Sequence, residues 1–108
     1  MATNPTEFFT AKAQQFEGGV ADLDGLNGLY QFNLTGDDGG NWVIELSDDT
    51  REVRIGEDDN AQCVINMTTT DFMDMIGGSL SPQSAFFTGR LRVKGDMGLA
   101  LRLQKILE

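Results

Sequence analysis

Histidine is absent from this chain, and cysteine occurs once, at Cys63. Without histidine there is no Ser-His or Cys-His pair to activate a nucleophile, and no imidazole for a zinc or haem site. One cysteine cannot form an internal disulfide. Its setting, Ala61-Gln62-Cys63-Val64-Ile65, predicts an inert thiol packed as a small core residue in a reducing compartment. Long hydrophobic runs are also missing: nothing approaches the roughly 20 consecutive apolar residues of a membrane span. The polar start Met1-Ala2-Thr3-Asn4-Pro5 has no basic region leading into an apolar stretch, so a soluble, cytoplasmic protein is expected. Bases are scarce, with eight Lys and Arg against seventeen Asp and Glu and a net charge of −9. Such a surface repels a phosphate backbone, which excludes nucleic acid as a partner. Five of the eight bases, Arg90, Arg92, Lys94, Arg102 and Lys105, fall in the last nineteen residues. They read as solvent-facing charges of one strand and one helix, and any anionic partner would have to meet that end.

What the chain does have is large apolar side chains. Hydrophobic residues make up 40% of it, including seven Phe and five Met. Residues 1–108 are the size of one domain, with room for one core and one pocket. Asn4-Pro5-Thr6-Glu7 combines an N-cap residue, proline at the first helical position and an early acid, so a helix begins here. Phe9, Ala13 and Phe16 recur at helical spacing until Gly18-Gly19 stops it. From Leu29 the period becomes two. Tyr30, Phe32 and Leu34 form a first strand, Trp42, Ile44 and Leu46 a second, Val53 and Ile55 a shorter third, and Ala61, Cys63, Ile65 and Met67 a fourth. Helical grammar returns after Thr68-Thr69-Thr70 with Phe72, Met73, Met75 and Ile76, up to Gly77-Gly78. A short helix capped by Ser81 with Pro82 at its first position follows, then a fifth strand around Leu91 and Val93. A last helix from Met97 to Leu107 places Met97, Ala100, Leu101, Leu103 and Leu107 largely on one side. Segregated strands and helices of this kind predict an α+β domain: a five-stranded, mostly antiparallel sheet with helices on one face.

Candidate chemistry is thin. The acidic loop Asp37-Asp38-Gly39-Gly40-Asn41-Trp42 puts Trp where a calcium loop needs glycine, and turn chemistry explains it better. Gly95-Asp96-Met97-Gly98 could aim backbone N–H groups at an anion, but a strand-to-helix turn capped by Asp96 is the simpler reading. Asp71 and Asp74 share a helix face without a catalytic partner. No catalytic residue, metal ligand or cofactor is therefore expected, and the apolar inventory carries the functional reading.

The C-terminal third narrows it. Ser81-Pro82-Gln83-Ser84-Ala85-Phe86-Phe87-Thr88-Gly89-Arg90-Leu91-Arg92-Val93-Lys94-Gly95-Asp96-Met97-Gly98-Leu99-Ala100-Leu101-Arg102-Leu103-Gln104 closely resembles the signature of the sterol carrier protein type 2 family, with Arg in place of its Lys and Asp in place of its Asn. Tyr30-Gln31-Phe32-Asn33-Leu34, Asn41-Trp42-Val43-Ile44-Glu45-Leu46 and Asp71-Phe72-Met73 are similar too. The resemblance implies a stand-alone lipid-binding domain with a hydrophobic tunnel between sheet and helices. Its ligands would be sterols, fatty acids, fatty acyl-CoA or similar molecules, transferred or stored without catalysis. It also implies that Phe32 and Gln104 face ligand. The expected walls are the sheet residues Phe32, Trp42 and Ile44 and the helical residues Met75, Ile76, Phe86, Met97 and Leu101, with the Gln104 amide orienting a polar head. Expected partners are the lipid itself and transient contact with a membrane or lipid enzyme. The final Ile106-Leu107-Glu108 does not match the peroxisomal address of eukaryotic relatives, which keeps the cytoplasmic expectation. Two alternatives stand beside this reading: presentation of intermediates in isoprenoid quinone biosynthesis, and a protein-interaction module that takes no lipid.

Overall fold

The computed structural model describes residues 4–18, 27–47, 50–103 and 106. Helix α1 spans Pro5–Gly18. It starts as its sequence dictates: the Asn4 side-chain oxygen accepts from the Glu7 amide at 2.8 Å, satisfying one otherwise orphaned donor. Its inner face carries Phe9 and Phe16, with Lys12 buried between them and its ammonium 5.4 Å from the centre of the Phe8 ring.

Strands β1 (Gly28–Thr35), β2 (Gly40–Leu46) and β3 (Arg51–Ile55) form an antiparallel meander. Strand β4 (Cys63–Thr68) then pairs with β1 in parallel, and β5 (Arg92–Gly95) adds antiparallel to β4. The order across the sheet is β3-β2-β1-β4-β5. Three of the four pairings are antiparallel, and the parallel one arises because residues 56–62 carry the chain from one edge across to the far side of β1.

Helices α2 (Thr69–Ile76), α3 (Pro82–Phe87) and α4 (Met97–Ala100) complete the order. Each has a side-chain cap. Thr68 accepts from the Asp71 amide at 3.1 Å, Ser81 from Ser84 at 3.1 Å, and Asp96 from Gly98 and Leu99 at 2.8 and 3.2 Å. The Gly95-Asp96-Met97-Gly98 segment is thus a capped turn whose helix N–H groups already have an acceptor. Described helix α4 ends at Ala100, short of the predicted Leu107, and residues 104, 105, 107 and 108 lie outside the described set.

One sheet face meets the helices and holds the core. Phe9 stacks on Trp42 and on Phe72, with ring centres 4.8 and 5.5 Å apart, and its ring lies 5.4 Å from Phe32. Ile44, Ile65, Leu103 and Ile106 are fully buried around this cluster. The other face is partly covered as well, with Gln31 and Val43 buried on it. The crossing segment explains this. The Asp58 amide donates to the Gln31 side-chain oxygen at 3.0 Å, and the Asp58 carboxylate pairs with Arg54 at 2.9 Å. Val43 sits in register between Gln31 and Arg54, so the crossing closes over it.

The sheet grips α4 at two places. Tyr30 donates its buried hydroxyl to the Leu99 carbonyl at 2.9 Å. At Gly95, φ is +103° and an added Cβ would collide with the Gln62 carbonyl oxygen, which itself accepts from the Asp96 amide at 2.8 Å. Replacing Gly95 with Ala should therefore cost about 1–3 kcal/mol or more in urea unfolding. Gly78→Ala, with φ +91° but open space around it, should cost less.

Burial also pushes the Tyr30 hydroxyl up from 10.0 to about 12, and the neighbouring Cys63 thiol up from 9.0 to about 11. Between their ordinary and raised values the unfolded chain holds fewer protons than the folded one. Their contribution to stability is then complete below about pH 9 and declines as pH rises toward about 12. Urea unfolding across this range should show that decline. In Tyr30→Phe the decline should be shallower and stop near pH 11, where only the Cys63 contribution remains.

Candidate functional site

Between α3 and α4 the core stops short of the β5 margin. A cleft of about 200 Å³ opens there, lined by Pro82, Gln83, Phe86 and Phe87 from α3, by Leu91 and Val93 below, and by Met97, Ala100 and Leu101 opposite. Its origin lies in how each short helix divides its apolar residues. In α3 only Ala85 reaches the core, because two adjacent aromatics on so short a helix cannot both point inward with it. Phe86 and Phe87 are left outside, in edge contact with ring centres 6.0 Å apart, and Phe87 is 83% exposed.

The last helical segment splits in the same way. Leu99, Leu103 and Ile106, spaced four and three apart, are the residues that enter the core. Met97, Ala100 and Leu101 form a second stripe that faces the cleft, with Leu101 77% exposed. The expected inward stripe had grouped Met97, Ala100 and Leu101 with Leu103, and it omitted Leu99 and Ile106. Burial corrects that assignment, since Leu103 belongs to the core stripe and the other three to the cleft. Leu107 lies outside the described residues.

Of the expected wall residues, Phe86, Met97 and Leu101 come together on this cleft. Phe32, Trp42, Ile44 and Met75 are packed inside the core, and Ile76 is half-buried against it. None of these five lines the cleft. Gln104 lies outside the described residues. Leu91, Val93, Ala100 and Phe87 were legible as apolar but not as site residues. The signal for them is the double aromatic Phe86-Phe87 beside a single small core residue, Ala85.

The chemistry of the surroundings is bland. Cys63 is fully buried, and its raised thiol keeps it protonated near neutrality, as its sequence setting predicted. Asp71 is half-buried at the start of α2 and Asp74 is exposed, neither of them on the cleft. Among the described residues no group of three His, Cys, Asp or Glu could hold a metal ion. Every buried side-chain polar atom among them has a hydrogen-bond partner. No described helix is long and apolar enough to cross a membrane. The cleft can offer apolar contact, with Gln83 as a polar group on its lining.

Comparison with known proteins places these features. The chain is 47% identical over 81 residues to hydroxysteroid dehydrogenase-like protein 2 of Xenopus laevis, a match covering 74% of this chain and 19% of that protein. This chain thus corresponds to about a fifth of the length of such curated relatives. The solution structure of sterol carrier protein domain 2 of Helicoverpa armigera superposes with a TM-score of 0.74 at 26% identity, over 99% of this chain and 91% of that one. The palmitated SCP2L2 of Aedes aegypti gives a TM-score of 0.74 at 21% identity, over 100% and 96% of the two chains, and so shares the fold. The profile of the SCP-2 sterol transfer family matches residues 8–108, and with that match this chain belongs to the family.

Proposed function

We propose that this chain binds the hydrocarbon part of an amphipathic lipid in the α3–α4 cleft and carries or stores it without chemical turnover. The observation that carries the reading is the convergence of Phe86, Phe87, Met97 and Leu101 on one opening, all of them exposed. A soluble domain keeps few large side chains of this kind together unless something covers them. A fatty acyl chain suits the site because the lining is mostly apolar, with Gln83 its one polar side chain. The palmitate held by the Aedes aegypti neighbour is of the same ligand class.

Binding would follow from area alone. Each methylene withdrawn from water contributes about 0.8 kcal/mol, so eight of them supply about 6 kcal/mol before ordering costs. At about 200 Å³ the cleft is smaller than the roughly 300–1,000 Å³ typical of sites that enclose a drug-sized ligand. A long chain therefore enters by widening the gap between α3 and α4, and the aromatic pair on α3 is the wall that yields. The head of the lipid stays at the opening, since the buried polar groups of the core already have partners.

Mass spectrometry of organic extracts from the purified protein should show a co-purified lipid of this class. With a fluorescent fatty acid, Leu101→Asn should weaken binding about tenfold or more, because a buried Leu contact is worth about 1.5–3 kcal/mol. Ile55→Asn is the control: Ile55 is 85% exposed on β3, at the opposite edge of the sheet, and its replacement should leave affinity unchanged. Equal affinity in the Leu101 variant would remove the cleft as the binding site.

A further inference from the structure

A row of side-chain amides crosses the outer face of the sheet, and its direction is set at one end by the backbone. The Asp58 amide N–H can only donate, so the Gln31 oxygen that receives it, at 3.0 Å, is the acceptor half of that side chain. Gln31 Nε2 then donates to Asn33 Oδ1 at 2.8 Å, and Asn33 Nδ2 donates to Asn66 Oδ1 at 3.1 Å. With its oxygen engaged, Asn66 has its Nδ2 protons left to offer. They meet no acceptor among the described residues, and Nδ2 is not shut away from solvent. Asn66 lines a second recess, of about 410 Å³, whose other polar side chains are Thr35, Thr68, Asp71, Arg90 and Arg92. This recess lies across β5 from the cleft: Val93 lines the cleft, while its neighbour Arg92 pairs with Asn66 and turns to the opposite side of the strand. Both arginines are exposed, and neither makes an ion pair or hydrogen bond with a described residue. Thr68 Oγ1 accepts from the Asp71 amide, which leaves its hydroxyl proton to donate. The lining thus offers donors from Asn66, Thr68, Arg90 and Arg92 against one carboxylate, Asp71.

We propose that this recess binds the phosphate group of a small phosphomonoester, at a site separate from the lipid cleft. Arginine forks take phosphate oxygens two at a time, and the amide and hydroxyl protons serve the oxygen that remains. A carboxylate has two oxygens to divide among these donors, whereas a phosphate has three, spread tetrahedrally. Asp71 accepts a hydroxyl of the esterified part, so the ligand is a phosphorylated alcohol that carries further hydroxyls. At about 410 Å³ the recess falls within the roughly 300–1,000 Å³ typical of small-ligand sites, which leaves room for that part beside the phosphate. The amide row holds Asn66 in its donor role. For its oxygen to face the recess instead, every amide back to Gln31 would have to invert, setting an NH₂ group against the Asp58 N–H.

Titration of the ¹⁵N-labelled chain with glucose 6-phosphate tests this by nuclear magnetic resonance. The Asn66 side-chain amide and the Thr68 and Arg92 backbone amides should shift saturably with the sugar phosphate, and stay still with glucose or with sodium chloride at equal ionic strength. Arg92→Gln should weaken binding about tenfold or more, because a hydrogen bond to a charged group is lost together with the charge. Asn66→Asp keeps the shape but puts an oxygen where the NH₂ group stood. It should abolish the response of Thr68 and Arg92, while an unchanged spectrum away from the recess shows that the variant is folded. Dihexanoyl phosphatidic acid identifies the source of the phosphate: tighter binding than the sugar ester assigns the site to a lipid headgroup, weaker binding to a soluble metabolite, and both retain the phosphate site. Still signals with both esters, shifts that sodium chloride reproduces, or undiminished binding by the Asn66→Asp variant would overturn it.

Discussion

The stacking of Phe9 between Trp42 and Phe72 is the contact on which the distribution of space in this molecule depends. It fills the β3–β2–β1 half of the helix-bearing face with buried aromatic rings packed against one another. The β4–β5 half is covered differently, by short capped helices that send small or single side chains inward: Ala85 from α3 and Leu99 from α4. Close packing at one end and thin cover at the other place the opening at the β5 margin. A core of uniform side-chain size would have distributed that deficit as scattered voids too small to hold anything.

Polar groups follow the same division. The polar groups of α4 are tied inward: its Gly98 and Leu99 amides donate to Asp96, and its Leu99 carbonyl accepts from Tyr30. The wall of the cleft is thereby anchored along its core side while its outer stripe stays unengaged. Such a wall can respond to an occupant without releasing the contacts that hold the sheet together.

The sequence made most of the architecture legible because local rules and global packing agree here. Asn4-Pro5, Thr68 and Ser81-Pro82 mark helix starts that the structure places at the same residues, and the alternation of Tyr30, Phe32 and Leu34 names the buried face of β1. What escaped was information that no local pattern carries. Val43 and Gln31 look like outward residues, and only the path of residues 56–62 over them makes them buried. Likewise Phe32, Trp42 and Ile44 have the character of tunnel walls, but whether a large apolar residue faces solid core or open space depends on what α1 presses against it. The two stripes of the last helix, at 99, 103, 106 and at 97, 100, 101, interleave at spacings that apolar periodicity cannot separate.

The parallel pairing of β1 with β4 bears on the order in which this chain can assemble. The meander of β1 to β3 closes between near neighbours in sequence, whereas Tyr30 must find Cys63 and Thr35 must find Thr68 across long intervening stretches. Closing so large a loop costs entropy before any contact rewards it, so this step comes late and slows folding. Until it happens the middle strand of the sheet has one bare edge, and a nascent chain released from the ribosome before β4 emerges would offer that edge to any other extended polypeptide.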